Sequence, residues 1–257
     1  VSVYDNLIEA VHQNLDKMHR YVRLRKKLLG LDQIVEDYAQ LHPDTVMETP
    51  QVVAATYGEG SGKVVELTFT YQNSRDNLKT MQKYVRPIFD SAALYVSNEE
   101  ESAALKYWRL HSFLMERNLY RIETSITPTY SLLRHGVGDS RSFAAVYSAM
   151  CRRAGLECRI VTGTRNGEPW TWNMVKDGER FYHVDLLRCN SLGGFREFVD
   201  SEMNGYVWDY STYPECPAYS QPDNSGGADR KEPAQTQATE PAEETEPATE
   251  QTQPEES

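Results

Sequence analysis

The sequence predicts an α+β fold in which a helix packs on an antiparallel sheet, with an N-terminal helical extension and a disordered acidic C-terminal tail. Three observations predict it. Helical periodicity fills most of the first half of the chain. Three short stretches with strand character then follow a helical segment between residues 140 and 187. After Gln221 almost nothing remains that a core could bury.

Residues 3–29 read as one amphipathic helix, because Tyr4, Leu7, Ile8, Val11, Leu15, Met18 and Val22 recur on a single face. Arg20, Arg23, Arg25, Lys26 and Lys27 gather where cations suit the helix dipole, and Gly30 offers the stop. A shorter helix is expected over residues 32–41, closed by His42-Pro43. Two alternating stretches, residues 51–57 and 63–71, flank a Gly-rich turn and predict a hairpin. Ser74 then caps a helix that runs toward Val96 and is expected to kink at Pro87. Another helix is expected over residues 99–118, with Ala104, Leu105, Trp108, Leu110 and Leu114 as its apolar content. Ser140 opens the next helix, which ends at Gly155. Strands follow at residues 158–164, 170–176 and 180–187, the last two joined by an Asp177-Gly178 turn.

Composition bounds the function. The segment from Gln221 to Ser257 holds ten Asp or Glu against Arg230 and Lys231, a balance of −8 out of the chain's −11. Such a stretch cannot offset its ordering entropy and is expected to act as a self-repelling spacer. Elsewhere acids and bases interleave, which gives no nucleic-acid footprint. No apolar run reaches membrane-spanning length, and the N-terminus has no signal-peptide pattern. The chain begins with Val1, which leaves room for an upstream segment. Cys151, Cys158, Cys189 and Cys216 include no CxxC pair, so no zinc site is expected; small core residues or one or two optional disulfides both fit.

The strings GDSRSFAAVYSAMCRRAGLECRIVTGTRNGEPWTWNMV (138–175) and FYHVD (181–185), followed by GYVWDYSTYP (205–214), resemble the bacterial transglutaminase-like superfamily, which shares its core with papain-like cysteine proteases. The resemblance runs from about residue 51 to 217 and implies a transglutaminase-like domain over 46–219, between a helical extension at 1–45 and the tail at 220–257. In that family a Cys at a helix N-terminus attacks, a His on the facing strand takes its proton, and an Asp holds the imidazole. Carried over position by position, the nucleophile falls on Ser140 and the base on Trp170, in Pro169-Trp170-Thr171-Trp172-Asn173; the acid is kept as Asp185. An indole only donates a hydrogen bond and cannot accept a proton, so no catalytic residues, metal or cofactor are expected.

The same residues have plain structural readings. Ser140 serves as an N-cap, and Trp170 and Trp172, two apart on one strand, fill the old cleft with aromatic surface. Together with Asn173 they are expected to bind a peptide, glycan or protein. The alternative is an amide hydrolase or acyl transferase with Ser140 as nucleophile, His183 as base and Asp185 as orienter. Cys151 lies three turns down the helix from Ser140, roughly 16 Å away, and offers no replacement.

VSVYDNLIEAVHQNLDKMHRYVRLRKKLLGLD (1–32) resembles a segment of oligoendopeptidase F, a zinc metallopeptidase. No HExxH occurs anywhere in the chain, so the resemblance implies neither zinc nor peptidase activity here. A transglutaminase-like domain is often preceded by an export or lipoprotein signal. Such a leader would place this one in the cell envelope or outside the cell, and without it the cytoplasm is expected.

Overall fold

The computed structural model describes residues 19–22, 30–58, 64–122 and 125–218. Of the helix expected at 3–29, only residues 19–22 are described, and they correct it: His19–Val22 is a strand, β1, paired antiparallel with β3 (Val64–Thr70). The helix α1 (Leu31–Leu41) and the strand β2 (Gln51–Tyr57) fall where the periodicity placed them. β2 and β3 pair antiparallel as the predicted hairpin, giving a sheet in the order β1-β3-β2. The acidic tail lies outside the described residues.

Helix α2 (Arg75–Tyr95) starts at the predicted Ser74 cap, whose side chain accepts from the Asn77 N–H, and runs through Pro87 as one element. Helix α3 (Ala103–Met115) begins four residues later than the apolar pattern suggested, because Ser102 caps it. Its buried face is Tyr107, Leu110, His111 and Leu114, whereas Leu105 and Trp108 are exposed. A short parallel pair follows, β4 (Leu119–Tyr120) with β5 (Val137–Gly138), enclosing helix α4 (Pro128–His135).

Helix α5 (Ser140–Arg153) is the centre of the molecule: every residue from Ser142 to Cys151 is buried. It packs on a four-stranded antiparallel sheet and also meets α1, α2, α3 and α4. A helix surrounded in this way must be apolar or small on all sides, and Phe143, Ala144, Ala145, Val146, Tyr147, Ala149 and Met150 meet that demand. The sheet is built from β6 (Cys158–Arg165), β7 (Glu168–Asp177), β8 (Arg180–Val184) and β9 (Tyr206–Trp208) in the order β8-β7-β6-β9. The third predicted strand stops at Val184 rather than Leu187, because Asp185 caps a short helix, α6 (Leu186–Ser191).

Gly163 makes the edge of this sheet possible. A Cβ there would stand 2.1 Å from the Val207 carbonyl oxygen of β9 and 3.0 Å from the Trp172 ring. Only hydrogen at that position lets β9 lie against β6 over the indole. Val35 and Tyr38 of α1 join the same hydrophobic core as α5 and the sheet.

Candidate functional site

The structure brings Ser140, Trp170 and Asp185 to one place. Ser140 sits in the first turn of α5, and its Oγ accepts from the Thr171 N–H of β7 at 3.3 Å. It is not the N-cap: Asp139 holds that position, accepting from the Ser142 N–H at 2.8 Å and the Ser142 hydroxyl at 2.6 Å. Asp and Ser are both good capping types, and the extended backbone of Asp139 gives that residue the position.

Asp185 is 1% exposed and saturated with donors. Its Oδ1 accepts from the Leu187 and Arg188 N–H groups, which caps α6. Its Oδ2 accepts from Trp170 Nε1 at 2.9 Å, from the Tyr206 hydroxyl at 2.5 Å and from the Arg165 guanidinium at 3.5 Å. Trp170, expected at the base position, thus donates its indole N–H to Asp185, and that group can never accept a proton. Burial, reinforced by the neighbouring Asp185 carboxylate, keeps the Tyr206 hydroxyl protonated far above the ordinary phenol range.

His183 is committed elsewhere. Trp172 Nε1 donates to its Nδ1 at 2.9 Å, and its Nε2 lies 2.9 Å from Asp200 Oδ1. Because the indole can only donate, Nδ1 carries the lone pair and Nε2 carries the proton that Asp200 accepts. Burial holds the imidazole below its ordinary pKa, against the opposing pull of Asp200. Both ring nitrogens are thus taken by groups other than Ser140 and Asp185. The Ser140–His183–Asp185 alternative has no hydrogen-bond chain among the described residues.

Trp172 and Asn173 are buried, at 1% and 0% exposure, which corrects their expected place on a binding surface. Trp172 is packed by Tyr206, Trp208 and His183, and the Asn173 amide donates to the Ala144 carbonyl of α5 at 2.9 Å. The space enclosed by Ser140, Thr171, Asn173 and Asp185 has no room for a water molecule. Of the three predicted binding residues only Trp170 reaches the surface, with the Tyr120 ring 5.4 Å away and the Arg165 guanidinium 5.1 Å over its face.

His183, Asp200 and Cys216 bring ligand-type atoms within 4.8 Å of one another. The proton on His183 Nε2 points into this group. A metal there would need that lone pair and would leave the Trp172 N–H facing a second N–H, so the donor set does not fit an ion. The group works instead as a hydrogen-bond chain that ends with the Cys216 N–H on Asp200 Oδ2 at 2.8 Å. Asp200, Tyr206, Arg165 and Tyr120 were missed by sequence reasoning. Arg165 and Tyr206 lay in strings already recognised, and nothing local to Asp200 and Tyr120 marks them.

Residues 90–186 match the sequence model of the transglutaminase-like superfamily. This region is a transglutaminase-like domain. The match spans α5, β6, β7 and β8, and so includes Ser140, Trp170 and Asp185 of the domain. Among solved structures, a TGase crystal structure shares 8% identity at a TM-score of 0.36, covering 65% of this chain and 50% of that one. A candidate cysteine protease from Cytophaga hutchinsonii shares 14% identity at a TM-score of 0.36, covering 61% and 70%. The N-terminal region is similar to a different family. It is 39% identical over 72 residues to an oligoendopeptidase F homolog of Lactococcus lactis, and 40% identical over 57 residues to oligopeptidase PepF of Bacillus subtilis. The first alignment covers 24% of this chain and 12% of that protein, the second 21% and 8%. Among the described residues no helix is long and apolar enough to cross a membrane.

Proposed function

We propose that the transglutaminase-like domain is non-catalytic and acts as a binding or structural module. The observation that carries this reading is the Trp170 Nε1 hydrogen bond to Asp185 at 2.9 Å. It fills the place of a general base with a group that cannot take a proton, and leaves the Ser140 hydroxyl unactivated. The engagement of both His183 nitrogens and the filled space beside Ser140 support the same conclusion. The surface a peptide, glycan or protein partner would meet is the outer face of Trp170 with Tyr120 and Arg165, where aromatic faces and a guanidinium suit sugar rings or side-chain anchors.

The test is treatment of the folded protein with a serine-reactive fluorophosphonate, alongside a screen of glutamine-containing peptides for amide turnover. No label on Ser140 and no product above buffer is expected. Turnover that disappears in Ser140→Ala would overturn the reading.

A further inference from the structure

We propose that Cys151 and Cys158 are a thiol pair that a low-molecular-weight disulfide oxidises, in the folded protein, to a reversible cross-link between α5 and β6. The chain reverses tightly between these residues. Gly155 takes the left-handed conformation at φ 75°, and the Leu156 N–H returns to the Cys151 carbonyl at 2.9 Å. Ser148, one turn before Cys151 on the same helix face, donates its hydroxyl to the Cys158 carbonyl at 3.1 Å. That bond fixes the start of β6 against the face that carries the Cys151 thiol. Cys158 stands opposite Val175 in the register of β6 and β7, and Val175 shares its strand face with Asn173, whose amide reaches the Ala144 carbonyl of α5; the Cys158 side chain therefore lies on the sheet face that packs against this helix. Tyr107 ties the junction further, donating to the Glu157 carbonyl at 2.8 Å.

The pair is asymmetric in a way that orders the chemistry. Cys158 is partly exposed and Cys151 is buried. The Cys158 thiolate attacks one sulfur of oxidised glutathione, forming a mixed disulfide and releasing one glutathione thiolate. The Cys151 thiolate then attacks the Cys158 sulfur, which breaks the mixed disulfide, forms the Cys151–Cys158 bond and releases the second glutathione. The protein loses two electrons and two protons, and the oxidant is reduced to two thiols. Burial, with the neighbouring Cys158 and despite the Tyr147 hydroxyl, holds the Cys151 thiol well above its ordinary range, so closure is the slow step. The other cysteines are engaged elsewhere: Cys189 Sγ lies between the Arg196 carbonyl and N–H, and Cys216 lies with His183 and Asp200.

The whole chain is incubated with oxidised glutathione under native conditions, quenched by alkylation, and digested with trypsin without reduction. Cleavage after Arg141, Arg152, Arg153 and Arg159 separates residues 142–152 from 154–159. The expected product joins these two peptides and is two hydrogens lighter than their sum. Its formation rate should rise about tenfold per pH unit near neutrality, as the thiolate fraction does. In Cys151→Ala the reaction stops at a glutathione adduct on Cys158, and in Cys158→Ser Cys151 stays unmodified. Cys151→Ser gives the same reading should the alanine variant lose its circular dichroism signature. A stable glutathione adduct on Cys158 of the parent chain, with no cross-link, overturns the proposal; so does a cross-link to Cys189 or Cys216.

Discussion

At the scale of the residue, Asp185 is the acceptor that gathers the donors around it. In the family's chemistry the acid would orient an imidazole. Here it collects an indole N–H, a phenol, a guanidinium and two backbone amides while 1% exposed. Replacing it by Asn would turn an amide N–H toward one set of these donors and leave them unpaired. Asp185→Asn should therefore cost about 2–4 kcal/mol, read as a lowered urea midpoint, with the α6 cap and the Trp170 contact both weakened. A loss below half a kcal/mol would show that the cluster is decorative. Trp170 allows a complementary experiment. With Asp185 already placed to receive a ring N–H, the double variant Ser140→Cys, Trp170→His should gain a thiol that iodoacetamide alkylates about tenfold faster at neutral pH than the thiol of Ser140→Cys alone. Equal rates would mean that the geometry behind the substitution has been lost as well as the base. Ser140, Trp170 and Asp185 could be singled out from sequence because each sits in a local string, and the fold brings them together. Tyr206 and Arg165 could not be assigned to Asp185, because they reach it from β9 and β6, segments that only the folded sheet brings beside it.

At the scale of the element, the strand end at Val184 and the edge strand β9 show what pattern reasoning leaves open. Residues 180–187 carry continuous apolar character, and the helix that begins at Leu186 is imposed by the Asp185 cap, a side-chain bond that periodicity does not encode. The pairing of β9 with β6 depends on the missing side chain of Gly163. Gly163→Ala should push β9 off the sheet and expose Trp208. The expected readouts are a thermal midpoint lower by several degrees and a red-shifted tryptophan emission. An unchanged melting curve and spectrum would mean that β9 yields without cost. Leu105 and Trp108 make a similar point on α3, where the apolar content was plain but the buried face was chosen by contact with α5 and the sheet.

At the scale of the whole molecule, a buried histidine and a half-buried glutamate set opposite pH limits on stability. The unfolded chain takes up a proton at His183 near pH 6.5, whereas the fold holds that imidazole neutral through burial. Its contribution is complete above about pH 6.5 and is lost as the pH falls from there through the lower folded value. Glu197 has the reverse sign: burial, with Asp177 nearby, pushes its carboxyl up to about 7 from an unfolded value near 4.5. Its contribution is complete below about pH 4.5 and is lost as the pH rises through about 7. Urea midpoints measured from pH 5 to pH 8 should fall on the alkaline side less steeply in Glu197→Gln than in the parent chain. Identical slopes would remove Glu197 from this account.

The sequence by itself determined the α+β class and the boundaries of most elements, because periodicity, caps and local strings are written in neighbouring residues. Only the tertiary structure decided that Trp170 donates to Asp185, that His183 is locked between Trp172 and Asp200, and that Trp172 and Asn173 are buried. It also corrected residues 19–22 from helix to strand. The physical reason is shared by all of these. Each depends on which distant segment supplies the partner for a donor, an acceptor or an apolar face, and that choice is made by packing around α5, over sequence separations that no local pattern spans.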